Sequence, residues 1–158
     1  MIYIYDAGTQ TRKVRFLAWL AIAAFLGSVW GGVDVLADGE AAAAAVIFSL
    51  GGAFLAGMLV FLDHYACGLS VDFEAGVVEV DTPRLLGERS RSYPLADLVG
   101  AAYEADDTTT IKHHVRAPYV KLRIDGRRWP FVIDMQGTIV DEACFERLLS
   151  GLGSPGMA

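Results

Sequence analysis

Charge is scarce in this chain, and positive charge is scarcer than negative. Of 158 residues only 20% are Asp, Glu, Lys or Arg, and 19 acidic side chains outnumber 13 basic ones, giving a formal charge of −6. With a pI near 4.9 there is no general basic footprint for nucleic acid. Cys67 and Cys144 are too few and too far apart for a disulfide framework or a zinc site. The G-x-S-x-G, H-E-x-x-H, G-x-x-x-x-G-K-S/T and C-x-x-C-H patterns are all missing. No catalytic residue, cofactor or metal is therefore assigned, and no enzyme is expected. Apolar residues, by contrast, make up 54% of the chain, and the mean hydropathy is +0.40, which excludes a disordered protein.

Two uncharged runs hold the excess. Phe16 to Val33 and Ala41 to Leu62 contain 18 and 22 residues. As helices they reach about 27 and 33 Å, against a hydrocarbon core of about 30 Å. They read as two transmembrane helices forming a hairpin over residues 13–62, with Arg15 snorkelling towards the headgroups and seven residues, Asp34 to Glu40, as the turn. The stretch before Phe16 is long, the apolar run exceeds a signal-peptide core and no good small-x-small cleavage site precedes the acidic turn, so a retained anchor is expected. Arg12, Lys13 and Arg15 precede the first span, while the turn carries only Asp34, Asp38 and Glu40. The positive-inside rule then places both termini in the cytoplasm of a bacterial inner membrane. Neither run contains an ionisable residue, so the hairpin anchors and does not conduct.

Small residues recur every four positions: Ala23, Gly27 and Gly31 on the first span, and Ala45, Ser49, Ala53 and Gly57 on the second. Such ridges let helix backbones approach closely. They are expected to close the hairpin on itself, with docking on a foreign helix as the alternative. The GxxxG of Gly27 and Gly31 lies in a span and so is no phosphate loop.

Residues 63–152 have the texture of short strands. Leu69 to Phe73 and Val77 to Thr82 flank Glu74-Ala75-Gly76 as a hairpin. Arg89 to Tyr93 and Leu98 to Glu104 follow, then a polar loop around Asp106 and Asp107, then Thr109 to Val115. In Tyr119 to Ile124 apolar and polar residues alternate, and Asp125-Gly126 turns into Trp129 to Met135. A helix capped by Thr138 and Asp141 closes the unit with Ile139, Val140, Ala143, Cys144, Leu148 and Leu149 as its apolar stripe, and residues 153–158 form a loose tail. Residues 1–12 hold Ile2-Tyr3-Ile4-Tyr5, an alternating segment that fits an edge strand of this sheet or of a partner's.

Gly68-Leu69-Ser70-Val71-Asp72-Phe73 leading into Gly76-Val77-Val78-Glu79-Val80, then Tyr93-Pro94-Leu95-Ala96-Asp97-Leu98, Asp125-Gly126-Arg127-Arg128 and the closing helix resemble the bacterial pleckstrin-homology-like domain behind a two-span anchor. The resemblance implies an α+β fold, an antiparallel barrel or sandwich of six or seven strands plus a C-terminal helix. It further implies a non-enzymatic accessory protein that stabilises or helps assemble a larger membrane complex, respiratory or photosynthetic in kind. The alternative it carries is a lipid-headgroup sensor acting alone or as a homodimer. Ten Lys and Arg against fifteen Asp and Glu from Asp63 onward disfavour general anionic-lipid binding. The sharpest local candidate for lipid or partner contact is Lys112, His113, His114 and Arg116. A second basic group, Arg89, Arg91, Lys121, Arg123, Arg127 and Arg128, is either paired across strands or a docking face.

Overall fold

The computed structural model describes the backbone of residues 1–110 and 113–151 and the side chains of residues 1–103 and 118–150. Strand β1 (Ile2–Asp6) leads into helix α1 (Thr9–Ala37), and α2 (Ala41–His64) returns beside it. Both are long and apolar enough to cross a membrane. Only 17% and 6% of their most apolar windows are buried, whereas the core helix of a water-soluble protein would be mostly covered. The helices extend beyond the uncharged runs because Thr9 to Arg15 and Asp34 to Ala37 stay helical. Residues 38–40 alone separate α1 from α2, and Gly39 turns the chain at φ +85°.

Short strands follow: β2 (Tyr65–Ala66), β3 (Gly68–Asp72), β4 (Val77–Pro83), β5 (Glu88–Pro94), β6 (Leu98–Thr110), β7 (His113–Ile124), β8 (Phe131–Asp134) and β9 (Thr138–Ile139), with α3 (Glu142–Gly151) last. They form two sheets, ordered β5-β4-β3-β1-β9 and β2-β8-β7-β6. All pairings are antiparallel except β2 with β8. The unit is thus a mostly antiparallel sheet domain with a C-terminal helix, behind two long apolar helices.

Three local expectations are corrected. The polar loop at Asp106 and Asp107 is instead strand. β6 runs through it, with Asp107 opposite Arg116 on β7, because the ladder satisfies the backbone where propensity alone would favour a turn. The closing helix starts later than Thr138. Thr138 and Ile139 pair with Asp6 and Tyr5 of β1, and Asp141 is the residue that caps α3, its carboxylate accepting the Cys144 N–H at 2.9 Å. Phe145 and Leu148 are the buried residues of that helix, while Val140 is exposed. Finally, β1 does not occupy an edge: it lies between β3 and β9.

The core runs through both parts. Ile4, Tyr5, Leu69, Val71, Val78, Val80, Val120, Leu122, Phe131 and Ile133 are fully or almost fully buried, and Ala7, Val14 and Ala18 from the foot of α1 and Leu62 from α2 belong to the same cluster. Tyr5 spans the two sheets, donating its hydroxyl to the Asp134 carbonyl at 2.7 Å. Gly137 is required there, since a Cβ would lie 2.6 Å from the Tyr5 oxygen. Hairpin and sheet domain are consequently one packed body.

Candidate functional site

The helix seam is built from a seven-residue repeat. On α1 the inward positions are Thr11, Val14, Ala18, Ala21, Phe25, Ser28 and Gly32, and on α2 they are Ala44, Phe48, Gly51, Leu55, Met58 and Leu62. Close approach is concentrated at two glycines: a Cβ on Gly51 would meet Ser28 Oγ at 2.0 Å, and one on Gly32 would meet the Phe48 ring at 2.5 Å. A repeat of seven keeps one stripe facing the neighbouring helix.

The four-residue ridges do not form this seam. Ala23, Gly27, Ala45, Ser49, Ala53 and Gly57 are exposed and Gly31 is half-exposed. A Cβ on Gly27, Gly31 or Gly57 would find nothing within 4 Å. At 100° per residue each ridge lies on the far side of its helix from the seam. The expectation that these ridges close the hairpin on itself is therefore corrected: the hairpin packs through Ala18, Ala21, Ser28, Gly32, Ala44 and Gly51, and the ridges face away from that seam.

Where the hairpin meets the sheets, charge is concentrated. Asp63, one residue before the end of α2, takes a two-pronged ion pair from Arg91 on β5, with Nη1 at 3.1 Å from Oδ2. Arg84 approaches the same carboxylate at 3.6 Å and Arg127 at 3.7 Å. Arg127 also donates to the Tyr93 hydroxyl at 2.9 Å and lies over the Phe131 ring at 4.0 Å. The Asp63 carboxylate holds the Arg91 guanidinium further into its charged range. On the other helix Arg15 does not reach for headgroups. It donates to the Gly87 carbonyl at 2.6 Å and to Glu88 at 2.9 Å, because the β4–β5 turn folds against α1. These pairs clamp the foot of each helix to the sheet domain, Arg15 to the β4–β5 turn and Asp63 to both sheets.

Beside the clamp lies a groove of about 850 Å³ between the last two turns of α2 and the second sheet. Gly57, Val60 and Phe61 form one wall, and Val99, Trp129, Pro130 and Val132 form the other. Lys121, Arg123, Arg127 and Arg128 line it with one carboxylate, Asp125. Trp129 is 55% exposed, and Arg128 lies over its ring at 5.6 Å. His64, also in the lining, has Nδ1 at 2.7 Å from the Val60 carbonyl, which ends the helix.

The second basic group is therefore divided: Arg91 and Arg127 converge on Asp63, Lys121, Arg123 and Arg128 line the groove together with Arg127, and Arg89 stands apart on β5. Lys112 lies outside the described residues, as do the side chains of His113, His114 and Arg116. Their backbone register places His113 and His114 opposite Thr110 and Thr109 at the far end of β6 and β7. Among the described residues no group of His, Cys, Asp and Glu is arranged to hold a metal ion. Comparison with protein-family models, curated proteins and solved structures finds no match to this chain. Function must be read from the geometry alone. Sequence reasoning missed the junction because Asp63, Arg84, Arg91 and Arg127 share no motif and meet only through the fold. The one signal available was an acidic residue placed directly after an uncharged 22-residue run.

Proposed function

We propose that the chain is a non-enzymatic accessory protein of a bacterial inner membrane, anchored by two crossings, which docks laterally on a larger integral membrane protein. The observation that supports this reading is that Ala23 and Gly27 on one helix and Ala45, Ser49 and Ala53 on the other are exposed and take no part in the seam. Lipid does not require small residues, whereas a foreign helix that packs closely does. The low burial of the two apolar helices supports the crossings. The clamp at Asp63 and Arg15 fixes the sheet domain against the membrane surface, where a docked partner would meet it. Two sheets closed by a C-terminal helix are compatible with a pleckstrin-homology-like domain, and the acidic turn against the basic N-terminal flank supports cytoplasmic termini.

The test is Gly27→Leu, which fills the α1 ridge away from both seam and groove. Native gels of gently solubilised membranes, with mass spectrometry of the band, should show the wild-type chain in a large assembly and the variant released from it. An unchanged assembly in Gly27→Leu and in an Ala53→Leu companion would overturn lateral docking. A wild-type band at the size of a monomer or dimer would do the same.

A further inference from the structure

The junction groove has the make-up of a phospholipid site. Its apolar wall is the stretch of α2 that ends the uncharged run, the place where a membrane-crossing helix leaves hydrocarbon for headgroups. Val60 and Phe61 are 56% and 41% exposed there, and Gly57 opposite the sheet leaves open space. The facing rim carries four cations against one carboxylate, in a C-terminal portion that is otherwise net acidic. Two of the four are already engaged: Arg127 is held by Asp63 and Tyr93, and Lys121 lies 5.4 Å from the Tyr119 ring centre. Arg123 and Arg128 are exposed, and neither is ion-paired with a carboxylate among the described residues. Trp129, on the sheet side of the groove and 55% exposed, is of the residue type that prefers a membrane–water boundary.

We propose that this groove binds the phosphate of an anionic diacyl phospholipid, Arg123 and Arg128 taking the phosphodiester and headgroup while an acyl chain runs along Gly57, Val60 and Phe61. Guanidinium groups suit this role because their planar donors match phosphate oxygens in pairs. A volume of about 850 Å³ accommodates a headgroup and the start of a chain, the rest lying in the bilayer. The inference rests on the helices' crossing of a bilayer but not on lateral docking, and it concerns the chain alone.

The chain has three tryptophans, so Trp19→Phe/Trp30→Phe leaves Trp129 as sole reporter. The full chain is placed in phosphatidylcholine nanodiscs containing acyl-brominated phosphatidylglycerol or, at equal bromine content, acyl-brominated phosphatidylcholine. Trp129 should be quenched preferentially by the anionic lipid. Arg123→Gln and Arg128→Gln should each weaken that preference about fivefold and together by more than tenfold, while Arg89→Gln, outside the groove, should leave it intact. Equal quenching by the two lipids overturns the site, and so does a preference that survives Arg123→Gln/Arg128→Gln or falls equally in Arg89→Gln. Loss of the preference to inorganic phosphate, but not to chloride at the same ionic strength, would make the ligand a free anion and overturn the lipid assignment. Quenching of Trp19 and Trp30 by brominated phosphatidylcholine in Trp129→Phe reports insertion separately.

Discussion

Gly51 gives the sharpest test of how the hairpin is built. It faces Ser28 on α1, and an added Cβ would meet Ser28 Oγ at 2.0 Å and its Cβ at 2.6 Å, distances at which something must move. The Ser28 hydroxyl is held to the Phe25 carbonyl at 2.7 Å, which anchors the obstacle. Replacing a helical glycine by alanine ordinarily gains about 1 kcal/mol in helix propensity, and overpacking a tight contact costs about 1–3 kcal/mol. Gly51→Ala should therefore be neutral to about 2 kcal/mol destabilising. Gly27→Ala, with nothing within 4 Å of its Cβ, should be neutral or stabilising by up to about 1 kcal/mol. The chemistry is identical, so the gap of about 1–3 kcal/mol between the two isolates the seam. The assay is the midpoint of SDS-driven unfolding of the full chain in mixed micelles, followed by tryptophan fluorescence and near-ultraviolet circular dichroism. Ser28→Gly removes the obstructing side chain, so Gly51→Ala/Ser28→Gly should recover most of the loss that Gly51→Ala causes in the wild-type background. A Gly51→Ala variant as stable as Gly27→Ala, or no coupling between positions 51 and 28, would refute the assigned seam.

Three further outcomes follow from the junction and the sheets. Asp63→Asn leaves three guanidinium groups around a neutral side chain. With the carboxylate about one-third exposed, the loss should fall between surface and buried pairs, about 1–3 kcal/mol by chemical unfolding, and no change in midpoint would remove the clamp from the account. Burial pushes the Cys67 thiol up to about 12, with Glu88 and Asp81 adding to the rise, and the thiol donates to the Asp81 carbonyl at 3.3 Å. Iodoacetamide near neutral pH should therefore label half-exposed Cys144 first and Cys67 only on unfolding; equal rates would contradict its burial. The Ala75 backbone N–H and then the N-terminal ammonium hold the Asp72 carboxyl below the usual range, and the Cys144 N–H does the same for Asp141. These depressed groups contribute stability that is fully present above the unfolded carboxylate pKa and lost as pH falls through their native values. The contribution should stay flat down to about pH 5 and decline below it. Carbon-detected NMR titration showing both carboxyls at ordinary values would contradict this.

What could be read from the chain before the fold was known depended on the range of each interaction. The two long helices were legible because an uncharged run is a local property, and so were β3, β4 and β5 with the Gly76 turn. In β7, Val120, Leu122 and Ile124 are buried while Lys121 and Arg123 point away, as alternation required. The start of α3 was misplaced because Thr138 is a good cap locally, and only its pairing with β1, some 130 residues earlier in the chain, takes it into a strand. The same limit hid the hairpin seam. Four-residue spacing of small residues is conspicuous in sequence, whereas the seven-residue stripe mixes Val14, Ala21, Phe25 and Ser28 and shows no compositional mark. Phe145 escaped notice although it is the most buried residue of its helix, because Cys144 and Leu148 already filled a plausible stripe.

The position of β1 has a consequence for how the protein is made. Ile2 to Asp6 is made before both apolar helices, yet its partners are Gly68 to Val71 and then Thr138 and Ile139, which are made after them. The first sheet cannot close until Thr138 and Ile139 have been translated, so β1 must wait for strands made after both helices. If the two helices cross a bilayer as proposed, a chain with only one helix across would have β1 separated from β3 by that bilayer. Under that proposal, completion of the sheet requires that both helices have crossed. A chain that fails this step presents an unpaired, apolar first strand, the kind of feature by which membrane quality control could recognise it.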